Sequence, residues 1–158
     1  MSKDKPSWKR WRIWPLAAFI AIVTGVIAPS APALALGAEM TVYKSPWCGC
    51  CKNWIAHMRA NGYSVHVKDM ENLDMIKKMA GVPDRLRSCH TAMVNGYAIE
   101  GHVPAKDVAR LLAERPKAKG LVVPGMPAGS PGMEQGPPER YDVLLFQRDG
   151  STSVYSNH

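Results

Sequence analysis

Met40-Thr41-Val42-Tyr43-Lys44-Ser45-Pro46-Trp47-Cys48-Gly49-Cys50-Cys51-Lys52-Asn53-Trp54-Ile55-Ala56-His57-Met58 is the stretch that decides the architecture. Met40 to Lys44 is a short strand-forming run. Ser45-Pro46-Trp47 is a turn, and a helix opens near Cys48. Cys51, Trp54, Ile55 and Met58 recur at three- and four-residue steps, which predicts one buried helical face. Asn61-Gly62 closes the helix. A thiolate at a helix start meets unsatisfied backbone N–H groups and the positive end of the dipole. That setting lowers its pKa and makes it a better nucleophile or metal ligand.

Outward from this unit, Tyr63 to Lys68 alternates as a second strand. Glu71 to Ala80 reads as a second helix, with Leu73, Ile76 and Ala80 facing inward and Gly81 closing it. Val82 to His90 is a loop opened by Pro83. Thr91 to Val94 and Ala98 to Val103 flank Asn95-Gly96, the strongest short hairpin signal. Pro104 to Arg115 is a third helix with Val108, Leu111 and Leu112 on its apolar side. Lys117 to Pro138 is a long Gly/Pro-rich loop, and Tyr141 to Phe146 with Thr152 to Tyr155 form a last hairpin. A βαβ unit followed by ββα is the thioredoxin arrangement. The expected fold is therefore α/β and thioredoxin-like, one domain over residues 36–158, with a long Gly/Pro/Met loop and a C-terminal β-hairpin. Where that arrangement usually carries a cis-proline, before its third strand, this chain has Cys89-His90.

The chain has 158 residues, 46% hydrophobic and 21% charged, which suits a globular domain and argues against wholesale disorder. Its formal charge of +7 is unevenly spread. Lys3, Lys5, Lys9, Arg10 and Arg12 against Asp4 leave residues 1–35 at +4; 15 Lys+Arg against 12 Asp+Glu leave the rest at +3. No basic stripe marks the folded part, which sets nucleic-acid binding aside. Met1 to Arg12 is basic, Ile13 to Ala28 is apolar, and Ala33-Leu34-Ala35 ends a small-residue stretch. That order is a secretory signal peptide with cleavage after Ala35, and it places the mature chain in the periplasm. The alternative is an uncleaved inner-membrane anchor facing the periplasm. Pro29 and Pro32, which interrupt the apolar run, count against it.

All four cysteines are in the mature part: Cys48, Cys50, Cys51 and Cys89. Three within four residues suit chemistry better than stapling, because a bridge inside the cluster closes almost no loop. Cys48 and Cys51 form a C-x-x-C pair, which supports dithiol redox work or metal binding. An extra thiol between them invites off-pathway bridges in a redox enzyme, whereas a thiophilic metal gains from each thiolate. If the fold is as expected, Cys89 lies against the helix start and four sulfurs converge. Structural zinc prefers well-separated ligand pairs, so zinc fits this crowding less well than Cu(I) bridged by shared thiolates. Met126 and Met133, seven residues apart in a Gly/Pro frame, offer soft thioethers from the long loop; the alternative is that they fill a gap. His90 adjoins Cys89 as a ligand or hydrogen-bond partner. His102 either faces the site or caps the sheet. His57 and His66 are expected to face solvent, and His158 to be mobile.

The motifs Cys48-Gly49-Cys50-Cys51 with Trp54, Ser88-Cys89-His90-Thr91, Gly96-Tyr97 and Glu100-Gly101-His102-Val103-Pro104-Ala105 resemble the CopG-type exported copper-resistance proteins. Lys119-Gly120-Leu121, Val123-Pro124-Gly125-Met126-Pro127, Gly129-Ser130-Pro131-Gly132-Met133-Glu134 and Tyr141 to Leu145 extend the match over nearly all the mature chain. The resemblance implies a thioredoxin-like fold, a Cu(I) site on these cysteines and a role in copper tolerance of the cell envelope, with copper redox chemistry as a further option. The expected partners are copper ions and other exported copper-handling proteins. Two rivals stand beside it. One is a thiol–disulfide oxidoreductase in which Cys48 attacks and Cys51 resolves. The other is a structural domain with two disulfides, in which Cys89 bridges to one cluster cysteine.

Overall fold

The computed structural model describes residues 37–158; the expected export segment over residues 1–35 lies outside the described residues. Among the described residues, seven strands form one mixed sheet and three α-helices pack on it. The order along the chain is β1 (Glu39–Lys44), α1 (Gly49–Ala60), β2 (Ser64–Asp69), α2 (Asp74–Ala80), a 3₁₀ turn (Asp84–Leu86), β3 (His90–Val94), β4 (Tyr97–Glu100), α3 (Ala105–Glu114), β5 (Gly120–Val122), β6 (Asp142–Phe146) and β7 (Thr152–Asn157). Across the sheet the order is β2-β1-β3-β4-β5-β6-β7. β1 runs parallel to β2 and antiparallel to β3, and β4 runs parallel to β5; the other neighbours are antiparallel.

Strand alternation divides the apolar residues between two faces. Met40, Val42, Ala92, Val94, Ile99, Leu121 and Val143 join Trp54, Ile55 and Met58 of α1 and Val108, Leu111 and Leu112 of α3 in one core. Ala98, Val122 and Phe146 join Ala80 of α2, Val82 and Leu86 in a smaller one. The register then gathers loops at one end of the sheet. Lys44, the last residue of β1, pairs with His90, the first of β3, so Cys89 sits beside the chain that enters α1. β4 and β5 both end there, delivering His102 and the start of the Gly/Pro/Met loop.

Several expectations change. The stretch Lys117 to Pro138 is not all loop, because Gly120–Val122 is a strand buried on both faces. Three residues of that kind show no alternation to read. The final hairpin is β6–β7, but β5 welds it into the main sheet. α2 begins at Asp74 rather than Glu71, because the Asn72 side chain accepts the Asp74 N–H at 2.8 Å and holds the preceding turn. Its inward residues are Lys77 and Ala80, with Leu73 and Ile76 only half-buried. His158 is held in place: its ring stacks on Tyr141 at 5.0 Å, and its Nε2 lies 2.8 Å from an Asp107 carboxylate oxygen. His57 is half-buried, and its Nε2 accepts the Ala105 N–H at 3.1 Å; His66 is exposed as expected. No helix among the described residues is long and apolar enough to cross a membrane.

Candidate metal centre

The turn after β1 closes when the Cys48 N–H donates to the Ser45 carbonyl at 3.1 Å, and Cys48 becomes the N-cap of α1. The expected helical face is present, with Cys51, Trp54, Ile55 and Met58 all buried. Cys48 and Cys51, one helical turn apart, are joined as a disulfide with their Cα atoms 5.4 Å apart. The bridge joins the C-x-x-C pair on which the redox rival rests, and the turn geometry supplies the Cα spacing that a disulfide needs. Cys50 and Cys89 are free thiols, so Cys89 does not bridge to the cluster.

Cys50 Sγ lies 3.3 Å from Cys48 Sγ and 4.0 Å from Cys89 Sγ, and Cys89 Sγ lies 3.5 Å from Cys51 Sγ. The four sulfurs are all within 4.8 Å of one another. The cluster is therefore able to bind a metal once the disulfide is reduced. Burial, with Cys50 alongside, pushes the Cys89 thiol up to about 12. Without a metal it keeps its proton, and a bound cation has to displace it.

Two imidazoles complete the surroundings. Cys89 Sγ lies 3.0 Å from His102 Nε2 and 3.3 Å from His90 Nδ1, a second group within 4.8 Å. The His102 Nδ1 lies 2.7 Å from the Pro131 carbonyl, which can only accept, so Nδ1 carries the proton and Nε2 turns a lone pair toward the sulfur. Burial lowers the His102 pKa, against the opposing pull of Pro131 and Glu134, and holds that of His90 well below its ordinary value. His90 packs against Trp54 with ring centroids 4.3 Å apart, and its Nε2 has no hydrogen-bond partner. Trp54 donates its indole N–H to the Val103 carbonyl at 2.9 Å. Trp47, by contrast, is 86% exposed.

Met126 and Met133 lie on the loop between β5 and β6. They line a groove of about 510 Å³ beside Cys50, together with Lys52, Asn53 and Gln135. Met126 is 52% exposed. Gly132 presses this loop onto α1: a Cβ there would meet the Cys50 carbonyl oxygen at 2.7 Å and the Trp54 nitrogen at 2.8 Å. Glu134 accepts the Gly132 N–H at 2.7 Å, which lowers its carboxyl pKa.

His102 is the neighbour that sequence reading left undecided, and a signal for it exists. A two-residue Asn95-Gly96 turn pins the hairpin register. Val94 pairs with Tyr97 and Thr91 with Glu100, so counting on from the turn sets Cys89 opposite His102.

A family model described as a protein of unknown function, DUF411, matches residues 86–133. No curated protein matches the chain. Two solved structures, titled copper resistance protein CopG form 1 and form 2, are each 41% identical to it. Each alignment covers 77% of this chain and 98% of that one, with a TM-score of 0.73. The sulfur and imidazole cluster thus sits in a chain similar over 77% of its length to copper resistance proteins, and the chain belongs to the CopG family.

Proposed function

We propose that the reduced protein holds Cu(I) in a multi-copper thiolate cluster built on Cys48, Cys50, Cys51 and Cys89, in the service of copper resistance. The observation that carries this reading is the mutual approach of four sulfurs within 4.8 Å. Thiolates select soft monovalent copper, and four of them carry more charge than one Cu(I) neutralises. The neutral imidazoles of His102 and His90 offer further donors without adding charge. Met126 or Met133, which share the groove with Cys50, completes the coordination, and their loop acts as a lid. The strand order β2-β1-β3-β4, with α1 and α3 on one face and α2 on the other, supports a thioredoxin-like core. The basic, apolar and small-residue order of residues 1–35 supports export to the periplasm, with an inner-membrane anchor as the alternative. Other exported copper-handling proteins are the natural donors and acceptors of the metal.

The test is an anaerobic Cu(I) titration of the reduced full-length chain against a competing chelator. The expected result is more than one tightly held Cu(I) per chain, abolished by Cys51→Ser. Unchanged stoichiometry and affinity in that variant would overturn the assignment.

A second reading is favoured by one observation, the Cys48–Cys51 disulfide at the start of α1. It is thiol–disulfide exchange, in which a substrate thiolate attacks this bond and one cysteine leaves as a thiolate. A disulfide-exchange assay on a model protein separates the two, because a copper-holding protein turns over little substrate.

A further inference from the structure

The metal reading leaves one buried charge pair without a task. Glu100, at the end of β4, is fully buried, as is nearly all of Lys77 from α2. Lys77 Nζ lies 2.6 Å from Glu100 Oε1 and 3.2 Å from the Thr91 hydroxyl. The same Oε1 accepts the Ser88 N–H at 2.6 Å, and Oε2 accepts the Thr91 hydroxyl at 2.6 Å. Both carboxylate oxygens are thus spent on Lys77 and on the two residues that bracket Cys89-His90. Gly101 adds a third tie, donating its N–H to the His90 carbonyl at 3.0 Å. It sits at φ +72°, where a Cβ would meet the Ser88 hydroxyl at 2.5 Å and the Val123 carbonyl at 2.7 Å. The next residue, His102, places its Nε2 3.0 Å from Cys89 Sγ.

Stability does not account for this arrangement. Taking two charges out of water costs several kcal/mol per ion, and a well-packed apolar pair often serves as well or better. α2 also bears the consequence, since it buries a lysine while Met75 and Met79 stand 70% and 74% exposed. What the pair supplies is a defined position for the peptide it grips.

We propose that Glu100, charge-balanced by Lys77, is a positioning residue for the Cys89 thiol. It clamps Ser88 and Thr91 so that Cys89 Sγ stands 3.5 Å from Cys51 Sγ and faces His102. The tripeptide Glu100-Gly101-His102 therefore carries both the clamp on Cys89 and one of its neighbours. The consequence for copper rests on the proposed metal reading; the consequence for the thiol does not.

The experiment uses the full-length chain, reduced and metal-free, alkylated with iodoacetamide and read cysteine by cysteine by mass spectrometry. Lys77→Met combined with Glu100→Leu removes the clamp without stranding a charge. Cys51, fully buried, is the internal control: global unfolding speeds Cys51 and Cys89 together, whereas release of the clamp speeds Cys89 alone. The expected result is a Cys89-to-Cys51 rate ratio raised about tenfold, with Cu(I) affinity reduced about 10–100-fold, the range for residues that orient metal ligands. An unchanged ratio in a folded variant overturns the proposal. If the double variant does not fold, Thr91→Val removes one bond to Oε2 at nearly constant shape. Its ratio is expected to rise about threefold, and no rise overturns the proposal. If the wild-type chain binds no Cu(I), the metal reading fails while the alkylation ratio still judges the clamp.

Discussion

Gly132 shows how much one backbone position decides at this site. Its φ of +87° and its close approach to the Cys50 carbonyl and the Trp54 nitrogen leave no room for a side chain. The loop bearing Met126 and Met133 lies against α1 for that reason. Gly132→Ala is expected to lift the loop and to cost about 1–3 kcal/mol, the usual range for forcing a side chain into such a conformation. A urea midpoint equal to wild type would contradict this. Among the site residues, the cysteines were legible because their spacing is itself chemical information. His102 is legible only through the hairpin register counted from Asn95-Gly96, because an isolated histidine has no local pattern and its meaning comes from the strand partner opposite it.

Elements are held to one another by a few buried polar contacts. Asp107, in the first turn of α3, is buried. One of its carboxylate oxygens accepts the Ser156 hydroxyl at 2.9 Å, and the other lies 2.8 Å from His158 Nε2. The backbone of His158 exchanges hydrogen bonds with Tyr141 at 2.9 and 3.1 Å, which extends the pairing of β6 and β7 to the chain end. Asp107→Ala removes the acceptor of both partners and leaves them only each other, at 3.2 Å, at a cost of about 1 kcal/mol. The expected outcome is faster amide hydrogen exchange in β7 with protection in β1 unchanged; equal protection in both would refute the coupling. α1 and α3 were legible from their apolar periodicity. The inward face of α2 was not, because Lys77 is drawn inside by Glu100, a residue on another element.

For the whole molecule, the histidines set the response of the metal-free protein to acid. Burial is the first cause lowering His90, His102 and His57 alike. The unfolded chain takes up these protons as pH falls through the ordinary histidine value of about 6.5, and the folded chain resists, so stability is lost on acidification. His90 alone contributes a slope of up to about 1.4 kcal/mol per pH unit below that value. Burial raises Glu100, which acts in the opposite direction, but three histidines outnumber it. Urea midpoints at pH 7.5, 6.5 and 5.5 should fall slightly over the first interval and more steeply over the second. A flat profile would show that the three rings are protonated in the folded state.

The sequence by itself determined the strand–helix entry that carries three cysteines, the hairpin pinned by Asn95-Gly96 and the apolar faces of α1 and α3. Those features rest on spacing, turn chemistry and periodicity, which act over a few residues. The tertiary structure alone decided that β5 is a strand and that a lysine is buried in α2. It also decided that a glycine 81 residues beyond Cys51 presses the methionine loop onto α1. Each of these depends on a partner far along the chain. Burial, ion pairing and steric contact are properties of the space around a residue, which no local pattern encodes.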